Sequence, residues 1–282
     1  MLPGARIESL AGLALDDLVA LVNAAYVGYP GPFTPEEPIG YGAFLRAQTI
    51  DLARSVIARA PDSAPIGLAL LGLRGGRGWI GEFGVVPAWR RQGLGRALLA
   101  AVLDSARRAG ARDVRLEVRS ENAPAQALYA AGGFAIRRTL YNYRARASAA
   151  PAPADPNRTI RAVDPAILAA SLDLPRDPAP AWDHELPALL TESGARTLLA
   201  ERGGRPAGLL HYMPDPEQVE IRRLAVAPDD PVTARALLAA AADRPGVELV
   251  VAYVADSSPL FALLPTLGFA EAAPTLEMAR PL

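Results

Sequence analysis

Residues 85–99, Val85-Val86-Pro87-Ala88-Trp89-Arg90-Arg91-Gln92-Gly93-Leu94-Gly95-Arg96-Ala97-Leu98-Leu99, read as a strand end, a short glycine loop and the opening of an apolar helix. That order turns a row of main-chain N–H groups toward one point. The first N–H groups of a helix lack intrahelical partners, and the helix dipole adds roughly half a positive charge there. Gly93 and Gly95 carry no Cβ, so a diphosphate can come close to the main chain. Arg90, Arg91 and Arg96 surround the same point with positive charge, and no carboxylate in the loop opposes an anion. The segment is suited to a phosphate-bearing cofactor.

Spacing removes two such cofactors. A nucleoside triphosphate loop needs Lys and then Ser or Thr after its second glycine, whereas Arg96-Ala97 follow Gly95. A dinucleotide fingerprint needs three glycines, and only two fit. Further along, Val114-Arg115-Leu116-Glu117-Val118 alternates as a strand should. Asn122-Ala123-Pro124 then starts a helix that carries Tyr129 and ends in Gly132-Gly133-Phe134.

With both segments in view, the chain resembles the GNAT family of acetyl-CoA-dependent N-acetyltransferases. Arg90-Arg91-Gln92-Gly93-Leu94-Gly95 matches the family's Arg/Gln-x-x-Gly-x-Gly/Ala loop, and Asn122 to Phe134 is similar to its Asn/Tyr/Gly-Phe segment. The resemblance covers residues 5–145 and implies acetyl transfer from acetyl-CoA to an amine. It places the main chain of Val85 and Val86 beside the pantetheine arm and the groups from Gln92 through Leu94 to Arg96 on the pyrophosphate. Asn122 is placed near the thioester, with helix capping as a further or competing role. Tyr129 matches the family's tyrosine and is the candidate acid for the leaving thiolate, unless it is a packed aromatic.

Two carboxylates compete to be the base that takes the amine's proton. Glu82 lies in the strand leading to the loop, where many members carry an acidic residue. Glu117 lies in Leu116-Glu117-Val118-Arg119, which looks like the segment of ribosomal-protein alanine N-acetyltransferases whose Glu is the base. Glu82 leads, and either carboxylate has the alternative of a solvated or arginine-paired strand residue. Tyr26, Tyr29 and Phe33 fall in a turn-rich loop where family members shape the acceptor pocket; covering a core is the equal alternative.

The elements that must position these groups recur. Arg96-Ala97-Leu98-Leu99-Ala100-Ala101 returns as Arg235-Ala236-Leu237-Leu238-Ala239-Ala240, and Pro124, Ala127, Leu128, Gly133 and Phe134 align with Pro259, Ala262, Leu263, Gly268 and Phe269. The offset is about 140 residues, the mark of an internal repeat. The copy has lost the chemistry: Pro228-Asp229-Asp230-Pro231 replaces the arginine–glycine loop, and Leu264 replaces Tyr129.

The expectation is therefore an α/β (α+β) chain of two GNAT-like lobes, each a mixed, largely antiparallel sheet flanked by helices. Residues 1–146 would be the catalytic domain, 147–157 an Ala/Pro-rich linker, and 158–282 a degenerate lobe serving as scaffold or acceptor-site wall. The acceptor would be a small-molecule amine or a peptide N-terminus. Alternatives are a ribosomal-protein N-terminal alanine or a non-catalytic acyl-CoA-binding module.

Composition bounds the rest. The 29 basic residues, all Arg, balance 30 acidic ones, so no nucleic-acid or membrane-surface field is implied. Cysteine is absent and the two histidines are far apart, so no metal is expected. The chain begins without a basic segment leading into a long apolar run, which gives the expectation of a cytoplasmic protein.

Overall fold

A computed structural model describes residues 4–30, 35–148, 155–170, 173–175 and 177–282. By contacts the chain forms two compact units: Met1–Arg138 with Leu276–Leu282, and Thr139–Thr275.

Unit 1 runs β1 (Arg6–Ser9), α1 (Leu15–Tyr26), α2 (Pro38–Ala47), β2 (Val56–Arg59), β3 (Pro65–Arg74), β4 (Arg77–Val85), α3 (Leu94–Arg108), β5 (Asp113–Arg119), α4 (Ala123–Ala131) and the start of β6 (Ala135–Arg146). The first four strands pair antiparallel in sequence, and β4 then pairs parallel to β5. β3 explains why its sequence is a continuous apolar run rather than an alternating one. Its Ala69 and Leu71 pack with Leu98, Val102 and Leu103 of α3, while Leu68 and Leu70 pack with Leu18 and Val22 of α1. Both faces of the strand are covered. The buried positions of α3, Leu94, Leu98, Leu99, Val102, Leu103 and Ala106, recur at helical spacing on one face.

Unit 2 repeats the plan with β7 (Arg158–Val163), α5 (Leu186–Thr191), β8 (Arg196–Arg202), β9 (Arg205–Met213), β10 (Gln218–Val226), α6 (Pro231–Ala242), β11 (Glu248–Ala255), α7 (Pro259–Thr266) and the first half of β12 (Ala270–Pro281). Here β7 to β10 pair antiparallel in order and β10 pairs parallel to β11, which pairs antiparallel to the 140–146 part of β6. The mixed, largely antiparallel sheets flanked by helices are those expected.

The contact division falls inside β6, not in the Ala/Pro-rich stretch at 147–157, of which 149–154 lie outside the described residues. The reason is the C-terminal segment, which returns to unit 1. Its Glu277, 2 % exposed, accepts from Arg137 Nη1 at 2.5 Å and from Arg138 Nε at 2.7 Å. Burial pushes its pKa up, but the two guanidinium groups outweigh burial and hold it below the usual value. Glu277→Ala should remove the carboxylate that both arginines share and cost on the order of 2–3 kcal/mol, below the usual range for a fully buried pair because Arg137 is 39 % exposed. A lowered native pKa means this contribution is present above the unfolded carboxylate value and is lost as pH falls through the native one. The native Tm should therefore drop more steeply than the variant's on acidification below about pH 4.3; parallel curves would refute the pairing.

Candidate active site

The loop before α3 behaves as its residues demand. Arg91 (φ 62°) and Gly93 (φ 84°) are both left-handed, and Gly93 caps α3 without any side-chain hydrogen bond. Successive turns of this kind aim main-chain N–H groups into one concavity. A Cβ on Gly93 would meet nothing within 4 Å, so the glycine answers a backbone need and keeps the approach open. Arg91, Gln92 and Arg96 are exposed at this mouth.

Beyond the loop lies a cavity of about 890 Å³ in unit 1. Main-chain pairing between β4 and β5 stops at Trp79 and Arg115, so the strands part and leave a slot. Val85, Arg91, Gly93, Gly95 and Arg96 line one end of the cavity. Tyr26, Tyr29, Glu117, Asn122 and Tyr129 line the remainder. Leu94 is buried in the core, Val86 packs against α1 and α2, and the Gln92 side chain turns back to the Ala88 carbonyl at 3.0 Å. For Leu94 and Val86 this leaves the main chain to a ligand at the loop. Phe33 lies outside the described residues.

Arg90 also lines the cavity, yet its guanidinium is engaged elsewhere. Nε donates to the Val85 carbonyl at 2.8 Å, and Nη2 donates to Ala25 at 3.0 Å and Val27 at 2.7 Å. These bonds tie the end of β4 to the end of α1 and to the turn that carries Tyr26 and Tyr29. The approach there is close, since a Cβ on Gly84 would lie 2.8 Å from Ala25 Cβ.

Glu82 owes its place to a bulge. Ala69 pairs with Phe83 and Leu71 with Ile80, so Gly81 and Glu82 together oppose Leu70. An extra residue of this kind bends the strand and re-aims a side chain. Glu82 thereby shares the α1 face, where the Tyr26 hydroxyl donates to it. Burial pushes the Glu82 pKa up, the Tyr26 hydrogen bond opposes this, and Glu36 raises it further, to about 7. Glu36 is held by Asn23, whose side chain bonds both its N–H (2.8 Å) and its carbonyl (3.0 Å). Tyr41, fully buried on α2, has a hydroxyl with no hydrogen-bond partner among the described residues.

Across the slot, Tyr129 is 6 % exposed and meets Phe83 edge-on at 5.7 Å between ring centres. Burial pushes its hydroxyl pKa well up, and Tyr29 and Glu82 push it further, so it keeps its proton at any physiological pH. Asn122 caps α4 through Oδ1 on the Ala125 N–H at 3.2 Å and also hydrogen-bonds Tyr29. Gln126 pins this corner through the Arg119 and Ser120 carbonyls. Glu117 accepts the Trp79 indole N–H at 2.5 Å.

The matching place in unit 2 is closed by its own side chain. Asp230 caps α6, accepting from the Thr233 N–H at 3.0 Å and from Thr233 Oγ1 at 2.7 Å. A carboxylate thus sits where unit 1 offers open amides. Among the described residues no group of three or more His, Cys, Asp or Glu is placed to hold a metal, and no helix is long and apolar enough to cross a membrane.

Residues 18–134 match the acetyltransferase (GNAT) family model. Over 144 residues the chain is 35 % identical to the mycothiol acetyltransferase of Clavibacter michiganensis subsp. michiganensis, covering 48 % of this chain and 46 % of that one. Over 60 residues it is 48 % identical to the [ribosomal protein bS18]-alanine N-acetyltransferase of Escherichia coli (strain K12), covering 20 % and 40 %. The chain spans less than half the length of either relative. Among solved structures, a tandem GNAT protein from the clavulanic acid biosynthesis pathway aligns over 98 % of each chain with TM-score 0.74 and 17 % identity. A GCN5-related N-acetyltransferase from Sphaerobacter thermophilus aligns over 99 % of this chain and 96 % of that one, with TM-score 0.70 and 16 % identity. At these identities the alignments establish the two-lobed fold.

Proposed function

The chain belongs to the GNAT acetyltransferase family through residues 18–134, and on that premise we propose that unit 1 transfers an acetyl group from acetyl-CoA to a primary amine. The acceptor is a small molecule or a peptide N-terminus. The observation that carries this reading is a cavity lined by an open amide loop, by Tyr129, which keeps its proton, and by Tyr26, whose hydroxyl donates to the adjoining Glu82 carboxyl group poised near pH 7.

The thioester supplies an activated acetyl group. The amides around Gly93, with Arg91 and Arg96, bind the pyrophosphate. The main chain of Val85 runs beside the pantetheine arm, with Arg90 holding that strand end in place. Glu82, directly or through a water, takes the proton from the acceptor ammonium, and its pKa suits a base working at neutral pH. Tyr129 donates a hydrogen bond to the departing thiolate, which takes up the second proton that the nitrogen sheds as the tetrahedral adduct collapses. Tyr26 and Tyr29 wall the acceptor end, their rings 5.0 Å apart.

Unit 2 keeps the fold without an open phosphate loop, which supports a single cofactor site per chain. Calorimetry with acetyl-CoA should give one site, and thiol release should follow when primary amines are added. Binding without turnover on any amine would favour an acyl-CoA-binding module. No heat of binding would reject the cofactor itself.

A further inference from the structure

We propose that Glu117 is a positioning residue that acts through Trp79 on the β4 bulge, and is not the proton acceptor. The inference rests on the reading of Glu82 as the base. Trp79 is 8 % exposed and its six-membered ring lies directly over Gly81, where a Cβ would fall 2.3 Å from the ring carbon Cζ3. Gly81 is the first residue of the bulge and Glu82 the second. The ring therefore presses on the backbone that aims the base.

Something must hold that ring across the gap. Past Trp79 and Arg115 no main-chain pairing joins β4 to β5 among the described residues. The indole N–H spans the gap and donates to Glu117 Oε2 at 2.5 Å. A charge-assisted bond of this length fixes the ring more firmly than a neutral one. It engages one of the two carboxylate oxygens, Oε2. The residue that looks like a second base is thus a strut, and the glycine beside the ring is required because any side chain there would displace the indole.

The test has two readouts on the full chain. In a ¹H–¹⁵N spectrum, the Trp79 indole N–H, assigned by its loss in Trp79→Phe, should lie downfield and exchange slowly. Glu117→Ala should move it upfield and speed its exchange. In steady-state assays, W79F and E117A should lower kcat about 10- to 100-fold through misplacement of Glu82. Their acetyl-CoA affinity by calorimetry should stay within about twofold of native, a difference worth under 0.5 kcal/mol. Glu117→Gln, whose amide oxygen can accept the indole proton, should recover most of the E117A loss and keep the native pH–rate limb. An indole resonance indifferent to E117A overturns the proposal, as does an E117Q enzyme that is as slow as E117A and has lost the limb. A limb that survives in both E82Q and E117Q would instead unseat Glu82 as the base, while the resonance would still report on the strut.

Discussion

Glu82→Gln is expected to lower kcat/KM about 100-fold or more at neutral pH, the usual scale for loss of a general base. The native rate should rise with pH through about 7 as Glu82 ionises, and the variant should lack that limb. Stability should move the other way. A carboxyl whose native pKa is raised binds its proton more tightly in the folded state, so folding is penalised as pH climbs from the unfolded value near 4.3. The penalty is absent below that value and complete above about 7. Glutamine removes the charge and keeps the shape, so E82Q should melt higher than native protein at pH 8 and equally at pH 4. A variant that is slower yet more stable cannot be explained by misfolding. Equal melting curves at both pH values, with full activity, would show that Glu82 is a solvated strand residue.

Such a pairing of lost activity with gained stability identifies a site where local energetics yield to chemistry. The same holds at Arg91, whose left-handed backbone no packing requirement on its exposed side chain explains. The strained loop lines the cavity, and the desolvated Glu82 adjoins it through Tyr26.

The parts of the fold legible in the sequence were those written in local periodicity. The turn Arg74-Gly75-Gly76-Arg77 between two apolar runs reads directly as the β3–β4 hairpin, and the apolar stripe of α3 gives its buried face. α2 is missing from such a reading because glycines interrupt it: Gly40 sits at φ 99° beside a non-helical Ile39, so no periodic run survives. β2 has only four residues. The Ala/Pro-rich stretch reads as a boundary, but the contact units are set by Glu277 meeting Arg137 and Arg138, about 140 residues earlier in the chain, and no local pattern encodes that.

The site shows the same limit. Charge beside a glycine loop makes Arg90 read as a phosphate ligand, whereas its guanidinium holds carbonyls 63 and 65 residues away. Which way Glu82 faces depends on a register shift, invisible in Gly78-Trp79-Ile80-Gly81-Glu82-Phe83-Gly84 until the β3 partners are known. The repeat, by contrast, carried real information. Asp229-Asp230 replace the arginine–glycine loop in the copy, and in unit 2 the Asp230 carboxylate caps its own helix.

The loop itself supplies the second large effect. Gly93→Val puts a β-branched side chain at φ 84°, where the left-handed region costs roughly 1–2 kcal/mol. Since a Cβ there would meet nothing within 4 Å, no packing is disturbed and the whole penalty is conformational. The backbone escapes it by turning to negative φ, which swings the N–H groups away from their common point. Acetyl-CoA should then bind about 30-fold or more weakly, a loss of about 2 kcal/mol. The control is Gly203→Val in the β8–β9 turn of unit 2, where φ is 56° and the surroundings are equally empty. It should lower the melting temperature by a similar few degrees, about 2–4 °C per kcal/mol. Its acetyl-CoA affinity should be native. If instead G93V binds the cofactor as tightly as native protein, the amides at the start of α3 do not hold the pyrophosphate; if G203V weakens binding, the single-site reading of the chain fails with it.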